Sequence, residues 1–326
     1  MKSRMTFIRL IRTMTTAAFV AAVVLLCGCK RDTTLRILYW NFQNGMWADE
    51  PNNYDNFVEW VKTYDPDVCI WCEAQTIYAT GTGKACKKED RYLTDNWGEL
   101  AARFGHQYWE KGGHRDNYPQ VITSKLPIEV IQQVVGEEPD SVVTHGAGHF
   151  CVEYNGKRVN IVTLHTWPQK HAFRAKDIEA SRAENGGDHY RRMEMEYICK
   201  HTILTQTDAN EQLWFMAGDF NSRTRKDNHF YKYDEGSTAF LVHDYILENT
   251  PYIDIIGEKY AGEFHTTIQG EARIDYVYCT RPLYDRIVEA YVVRDDYTAI
   301  NVTRDEKTGF YFPSDHLPIL VDVEMR

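Results

Sequence analysis

Beyond residue 30 the chain alternates between short apolar runs and longer stretches with helical spacing. Leu35-Arg36-Ile37-Leu38-Tyr39-Trp40 reads as a strand. Tyr54, Phe57, Val58 and Val61 then recur at i, i+3, i+4, i+7, the period of an amphipathic helix, which Asp65-Pro66 stops. Residues 67–73 form a second strand-like run. Residues 150–154 and 158–164 flank Asn155-Gly156, a hairpin signal because both turn residues tolerate positive φ. Tyr190, Met193, Tyr197 and Leu204 are spaced to share one helical face, and residues 213–217, 274–279 and 317–323 complete the strands. Hairpins mixed with crossover helices predict an α/β layered architecture rather than a purely parallel sheet. No linker, repeat or low-complexity tract interrupts Leu35 to Met325, so the pattern predicts one domain.

The front of the chain stands apart. Lys2, Arg4, Arg9 and Arg12 form a basic head, followed by an uninterrupted apolar run over residues 17–26. That run is too short for a mature membrane span and suits the h-region of a secretory signal. It ends in Leu26-Cys27-Gly28-Cys29, which resembles the bacterial lipobox, with Cys29 at the lipidated position. Residues 1–28 are therefore expected to be a lipoprotein signal peptide, an ordinary signal peptide being the alternative. Residues 30–34 would be a short tether, reaching about 17 Å at full extension. The domain of residues 35–326 would then sit close to its membrane. Lys30 after the cysteine, rather than Asp, points by resemblance to lipoprotein sorting toward the outer membrane, on its periplasmic or surface face.

Composition narrows the class. Of 326 residues 43% are apolar, with 10 prolines and 20 glycines, which allows a sizeable core and excludes a disordered or collagen-like chain. A net charge of −10 argues against a tight non-specific grip on nucleic acid, which depends on neutralising phosphates. It leaves room for a nuclease with a local basic patch. Beyond the leader lie Cys69, Cys72, Cys86, Cys151, Cys199 and Cys279, an even number that permits disulfides in an exported protein. Cys69 and Cys72 have redox-like spacing, but they lie in an apolar strand where positions three apart face opposite sides, so packing is the expectation.

The chemistry gathers where strands begin and end. The first strand runs into Trp40-Asn41, the second into Glu73, and the hairpin into His165-Thr166-Trp167. Residues 213–217 lead into Gly218-Asp219-Phe220-Asn221; Arg273-Ile274-Asp275-Tyr276 and Ser314-Asp315-His316-Leu317-Pro318 open the last two strands. One Asp at a strand end is usually a turn former. Several acids delivered to one sheet edge repel each other unless a cation compensates, and a hard divalent ion with oxygen ligands does so.

In this order the elements resemble the endonuclease/exonuclease/phosphatase, DNase I-like superfamily, from Leu35 to the C-terminus. The resemblance implies a four-layer α/β/β/α sandwich with two central mixed β-sheets. It implies a hydrolase acting on phosphoester bonds with Mg²⁺ as cofactor, Mn²⁺ being the alternative ion. Glu73, Asn41 and Asp315 would form the metal site. Asp219 would orient or deprotonate the attacking water, and Asn221 would hold water and phosphate. Asp275 would bond one ring nitrogen of His316, and His165 would be the second imidazole. Arg273 is expected to be structural. Where the family usually has Gln-Glu, this chain has Cys72-Glu73.

Substrate class stays open among inositol phosphates, sphingolipids, nucleotides, nucleic acid and sugar phosphates. Gly81-Thr82-Gly83-Lys84 fails the phosphate-loop pattern, because Tyr78 and Ala85 occupy its first Gly and its Ser/Thr positions. Residues 169–192 carry Lys170, His171, Arg174, Lys176, Arg182 and Arg191, either a solvated face or a cationic wall. Arg223, Arg225 and Lys226 follow Asn221 closely. Arg191, Arg223 and Trp167 are the substrate-binding candidates, with Phe230, Tyr231 and Tyr233 as further aromatic surface. The expected partners are a phosphoester substrate and, through the lipid, a membrane. Nucleic acid is possible but not favoured, and no protein partner is expected. The alternatives are a secreted DNase I-like nuclease and a non-catalytic surface binding protein on the same fold.

Overall fold

A computed structural model of the chain describes residues 33–77, 84, 86, 87, 91, 93, 95–113, 118–136, 142–168, 184–300, 303, 304 and 311–326. The leader with Cys29, the Gly81–Lys84 motif apart from Lys84, and Lys170, His171, Arg174, Lys176 and Arg182 fall outside these residues. Among the described residues no helix is long and apolar enough to cross a membrane.

Among the described residues fourteen strands follow in order: β1 (Thr34–Asn41), β2 (Val68–Cys72), β3 (Tyr108–Lys111), β4 (Val121–Ser124), β5 (Ile128–Val134), β6 (Ala147–Tyr154) and β7 (Lys157–His165), then β8 (Leu213–Asp219), β9 (Ile253–Asp254), β10 (Asp275–Cys279), β11 (Ile287–Val292), β12 (Thr303–Arg304), β13 (Tyr311–Phe312) and β14 (Ile319–Glu324). One six-stranded sheet has the order β11-β14-β1-β2-β4-β3 and a second the order β5-β6-β7-β8-β10-β9, while β12 and β13 form a separate pair. Both large sheets are mixed: β1 and β2 run parallel, as do β7 and β8, and the other neighbours are antiparallel.

Alternation along the strands builds the layers. Leu35, Ile37 and Tyr39 of β1, with Val68, Ile70 and Cys72 of β2, join Ile161, Phe215 and Val277 in a core between the sheets. Leu38, Trp40, Cys69 and Trp71 point the other way, against Phe57, Val58 and Val61 of α1 (Asp55–Tyr64) and Trp97 and Leu100 of α2 (Trp97–Arg103). On the far side, Val162, Leu164, Trp214 and Met216 pack beneath α3 (Asp188–His201) and α4 (Leu241–Asn249). The result is the expected four-layer sandwich. Cys69 and Cys72 sit in different cores, and all six described cysteines are free thiols.

The Asn155-Gly156 turn adopts φ of 50° and 72°, and the hairpin pairs residue by residue from Ala147↔Leu164 to Tyr154↔Lys157. The α3 reading needs correction. Met193 is about half exposed, and Leu204 lies beyond the helix in a short turn. The buried face carries Tyr190, Arg191, Glu194, Met195, Ile198 and Cys199. Two of these are charged, so a purely apolar stripe selects the wrong side.

This topology gathers strand ends. Parallel β1 and β2 finish side by side, and antiparallel β14 starts beside the end of β1. In the other sheet β7 and β8 finish together with His165 opposite Asp219, and β10 starts with Asp275 opposite Asp219.

Candidate active site

Asn41, the last residue of β1, lies between the two sheets' acids. Its Nδ2 donates to Asp219 Oδ2 at 3.1 Å and to Glu73 Oε1 at 3.4 Å. Glu73 leaves β2 with a φ of 53°, and its Oε2 accepts the backbone N–H of Asn44 at 3.0 Å. That donor is presented by an unusual turn in which Gln43, Asn44, Gly45 and Met46 all take left-handed φ values of 49–67°. Such a conformation costs about 1 kcal/mol or more for each non-glycine residue. Hydrogen bonds offset it: Gly45 N–H donates to the Glu73 carbonyl at 2.8 Å, and Asn44 Oδ1 accepts Ile77 N–H at 2.6 Å. A Cβ at Gly45 would lie 2.6 Å from the backbone nitrogen of Thr76, so glycine is required there on contact as well as on φ.

Asp219 is almost fully buried at the end of β8. Asn221, itself at φ 47°, donates its backbone N–H to Asp219 Oδ1 at 2.9 Å and its Nδ2 to the Thr166 carbonyl at 3.3 Å. His165 Nε2 lies 3.5 Å and His316 Nε2 3.9 Å from Asp219 Oδ2. His316 Nδ1 bonds Asp275 Oδ2 at 2.8 Å, which leaves Nε2 facing Asp219 and, at 3.8 Å, Asp315 Oδ1. The His316 loop is tied to β1 by Trp40 Nε1–H donating to the His316 carbonyl and by the Ser314 hydroxyl donating to the Asn41 carbonyl.

Charge follows from burial and proximity. Burial, and then Asp275, push Asp219 up to about 7. Burial and Asp315 raise Glu73, and burial raises Asp315. Burial opposes the imidazolium of His316, yet Asp275 and Asp315 outweigh it and hold the ring well above its ordinary value. His165 falls well below, through burial and then the neighbouring His145. The site thus pairs a protonated with a neutral imidazole around a carboxylate poised near neutrality.

The sequence-derived candidates Asn41, Glu73, His165, Asp219, Asn221, Asp275, Asp315 and His316 accordingly meet at one end of the sandwich. Three others need correction or qualification. Arg191 is buried, its guanidinium bonded to Asp188 Oδ1 and to the carbonyls of Trp167 and Gly186, so it is an internal strut and not a cationic wall. Trp167 is buried, its ring at 72° to that of Tyr190, rather than laid out as an exposed surface. Arg223 lies over the rings of Tyr231 and Tyr233 at 5.4 and 6.0 Å. Arg225 pairs with Asp244 and Glu235, and Lys226 with Glu258. Arg273 is structural as expected, gripping Asp254 with both terminal nitrogens and Asp227 with Nε.

Four contributors carried no motif: Tyr39, Asn44, His145 and Glu194. His145 could have been found from the hairpin. Extending the Ala147↔Leu164 register by two residues brings it beside the end of β7, and its ring centroid lies 4.4 Å from that of His165.

Solved structures share the architecture. An AP endonuclease from Archaeoglobus fulgidus matches with a TM-score of 0.58 and 18% identity, over 88% of this chain and 98% of that one. An endonuclease/exonuclease/phosphatase family protein from Bacteroides thetaiotaomicron matches with a TM-score of 0.54 and 14% identity, over 90% and 98%. TDP2 from D. rerio, complexed with a single-strand DNA product, gives 0.53 and 12%, over 89% and 98%. At such identities the likeness is one of fold. No curated protein matches the sequence. The sequence does match the endonuclease/exonuclease/phosphatase family across residues 38–316, a span that includes Asn41, Glu73, His165, Asp219, Asp275 and His316, and the chain belongs to that family of phosphoester-cleaving hydrolases.

Proposed function

We propose that the protein is a divalent-metal-dependent phosphoesterase that hydrolyses phosphodiester or phosphomonoester bonds by in-line attack of an activated water. The observation that carries this reading is the convergence of Asp219, Asp275 and His316, whose side-chain atoms lie within 4.8 Å of one another, beside the further carboxylates of Asp315 and, linked to Asp219 through Asn41, Glu73. The donor chemistry fits a hard cation. The carboxylates of Glu73, Asp219, Asp275 and Asp315 share one end of the sandwich, and Glu73, Asp219 and Asp315 are each raised by burial before any other cause. Glu73, Asn41 and Asp315 would hold Mg²⁺ or Mn²⁺. When bound, the ion neutralises charge developing on the phosphate and leaving-group oxygens.

The chain's own groups do the rest. Asp219, fixed on one oxygen by the Asn221 N–H and on the other by Asn41, can take the proton of the attacking water near neutral pH. His316, kept cationic by Asp275, offers its Nε2–H to a phosphate oxygen. His165 supplies a neutral ring whose Nε2 faces the same Asp219 oxygen as His316 does. Lipid attachment at Cys29 and an outer-membrane location are part of the same proposal, supported by the basic head, the apolar run and the Leu26–Cys29 pattern.

The test uses metal-stripped protein lacking residues 1–29 and bis(p-nitrophenyl) phosphate. Turnover is expected on adding Mg²⁺ or Mn²⁺ and should be abolished by chelator. Asp219→Ala and His316→Ala should each lose roughly 10²- to 10⁴-fold. Inactivity across nucleotides, inositol phosphates, sphingomyelin, sugar phosphates and DNA with either ion would leave a binding protein on this fold. Plasmid digestion at rates comparable with small esters would make it a nuclease. Mass measurement of the N-terminal peptide from full-length protein tests the lipid.

A further inference from the structure

Glu194 sits on the second turn of α3 and is fully buried. Its Oε1 accepts the backbone N–H of Thr144 at 2.7 Å, and its Oε2 accepts the backbone N–H of Trp167 at 2.7 Å. Thr144 immediately precedes His145, and Trp167 follows His165 by two residues. One carboxylate therefore spans the two backbone segments that carry the two adjoining imidazoles, whose centroids are 4.4 Å apart with the rings tilted 38° from one another.

A second residue of the same helix face completes the grip. Arg191, at i−3, donates Nη1 to the carbonyl of Trp167 at 3.0 Å, so both polar groups of the Trp167 residue's backbone are held from α3. The adjoining Thr166 is fixed from the other side, its N–H to the Asp219 carbonyl at 3.0 Å and its hydroxyl to the Phe220 carbonyl at 2.6 Å. His145 has a further tie, since its carbonyl accepts from Gln120 Nε2 at 3.2 Å.

Stability gives little reason for this arrangement. A carboxylate buried in a helix–sheet interface is generally no better for stability than an apolar side chain of the same volume, because desolvation consumes what its hydrogen bonds return. Two short charge-assisted bonds to two different loops do give a fixed geometry. We propose that Glu194 is a positioning residue of the active site, setting His145 against His165 and thereby the placement of His165 beside Asp219. The inference rests on the phosphoesterase reading, and it assigns to α3 a role that the metal, the water and the phosphate do not touch.

The test compares wild type with Glu194→Gln. The amide keeps the shape but offers one acceptor and turns a donor toward the other N–H, which frees one of the two loops. On bis(p-nitrophenyl) phosphate with Mg²⁺, kcat is expected to fall at least tenfold with KM within about twofold. The loss should largely disappear in a His165→Ala background, since both changes act through one imidazole. In metal-free protein the ring-proton NMR signals of His145 and His165 should shift, a readout independent of turnover. Wild-type activity with an unchanged kcat and unchanged ring signals in Glu194→Gln would overturn the proposal, as would a loss fully additive with His165→Ala. If Glu194→Gln does not fold, Arg191→Lys, which releases the Trp167 carbonyl, must show the same kcat loss and ring-signal shift, and their absence counts against the proposal equally. An inactive wild type sinks the phosphoesterase reading instead, and the ring signals then decide the geometry alone.

Discussion

The Tyr39 hydroxyl donates to Asp275 Oδ1 at 2.6 Å across the seam between the sheets, while the other oxygen of that carboxylate bonds His316 Nδ1 at 2.8 Å. Tyr39 lies on β1 and Asp275 on β10, so a single phenol sets the imidazole's anchor from the opposite layer. Tyr39→Phe removes that bond together with the hydroxyl's contact to the Cys72 thiol. It should lower kcat about tenfold, equivalent to ~1.4 kcal/mol of barrier. The carboxylate oxygen left without its partner should cost about 1–3 kcal/mol in urea unfolding.

Asp219 gives the metal-free protein a distinctive pH dependence. Its carboxyl is raised from 3.8 to about 7, so the folded state binds a proton that the unfolded chain has released. That contribution is fully present below about pH 4 and is lost as pH rises through 7, at no more than about 1.4 kcal/mol per pH unit. Asp219→Asn should therefore become progressively more stable relative to wild type between pH 4 and 7. The difference should shrink when Mg²⁺ is added. Melting temperatures of both proteins, with and without the ion, provide the check.

His106 works in the opposite direction. Its Nε2–H faces the Pro66 carbonyl at 2.8 Å, and its Nδ1 faces the Thr123 hydroxyl at 2.9 Å, an arrangement suited to a neutral ring. Burial drives it down from 6.5 to about 4. Its stabilisation is present above pH 6.5 and is lost as pH falls toward 4, by roughly 3 kcal/mol at most. A His106→Gln variant should show a flatter urea midpoint across that window than wild type.

Arg273 is fully enclosed between Asp227 and Asp254. Arg273→Met would strand two buried carboxylates and should cost about 3–5 kcal/mol. Urea unfolding at pH 7.5 measures it. A loss below 1 kcal/mol would mean that the clamp is not structural.

What the sequence made readable and what it hid have separate physical causes. Strand-end acids and histidines were visible because apolar runs stop abruptly at Asn41, Glu73, His165 and Asp219, and the Asn155-Gly156 turn set the hairpin register. Hydrophobic spacing selects the wrong face of α3 because Arg191 and Glu194 are buried on the right one. Their charges are met by loop backbone from distant parts of the chain, which hydrophobic spacing does not record. Trp167 looked like a stacking surface for a related reason: side chains leaving a strand end can turn under a helix as readily as toward solvent. Tyr39 was hidden by its strand, where a core tyrosine and one bonded to a catalytic carboxylate have the same pattern.

The division of the acids and imidazoles between two stacked sheets also sets how this molecule should lose activity. Asn41 and Glu73 travel with one layer, His165, Asp219 and Asp275 with the other, and the His316 loop, which leads into β14, is also bridged to Ile268 in the segment before β10. A sliding of a single ångström along the seam would misalign the two halves while leaving every strand pairing within each layer intact. Inactivation under mild pressure or low denaturant should then precede any change in secondary structure, with competence returning as soon as the layers re-seat.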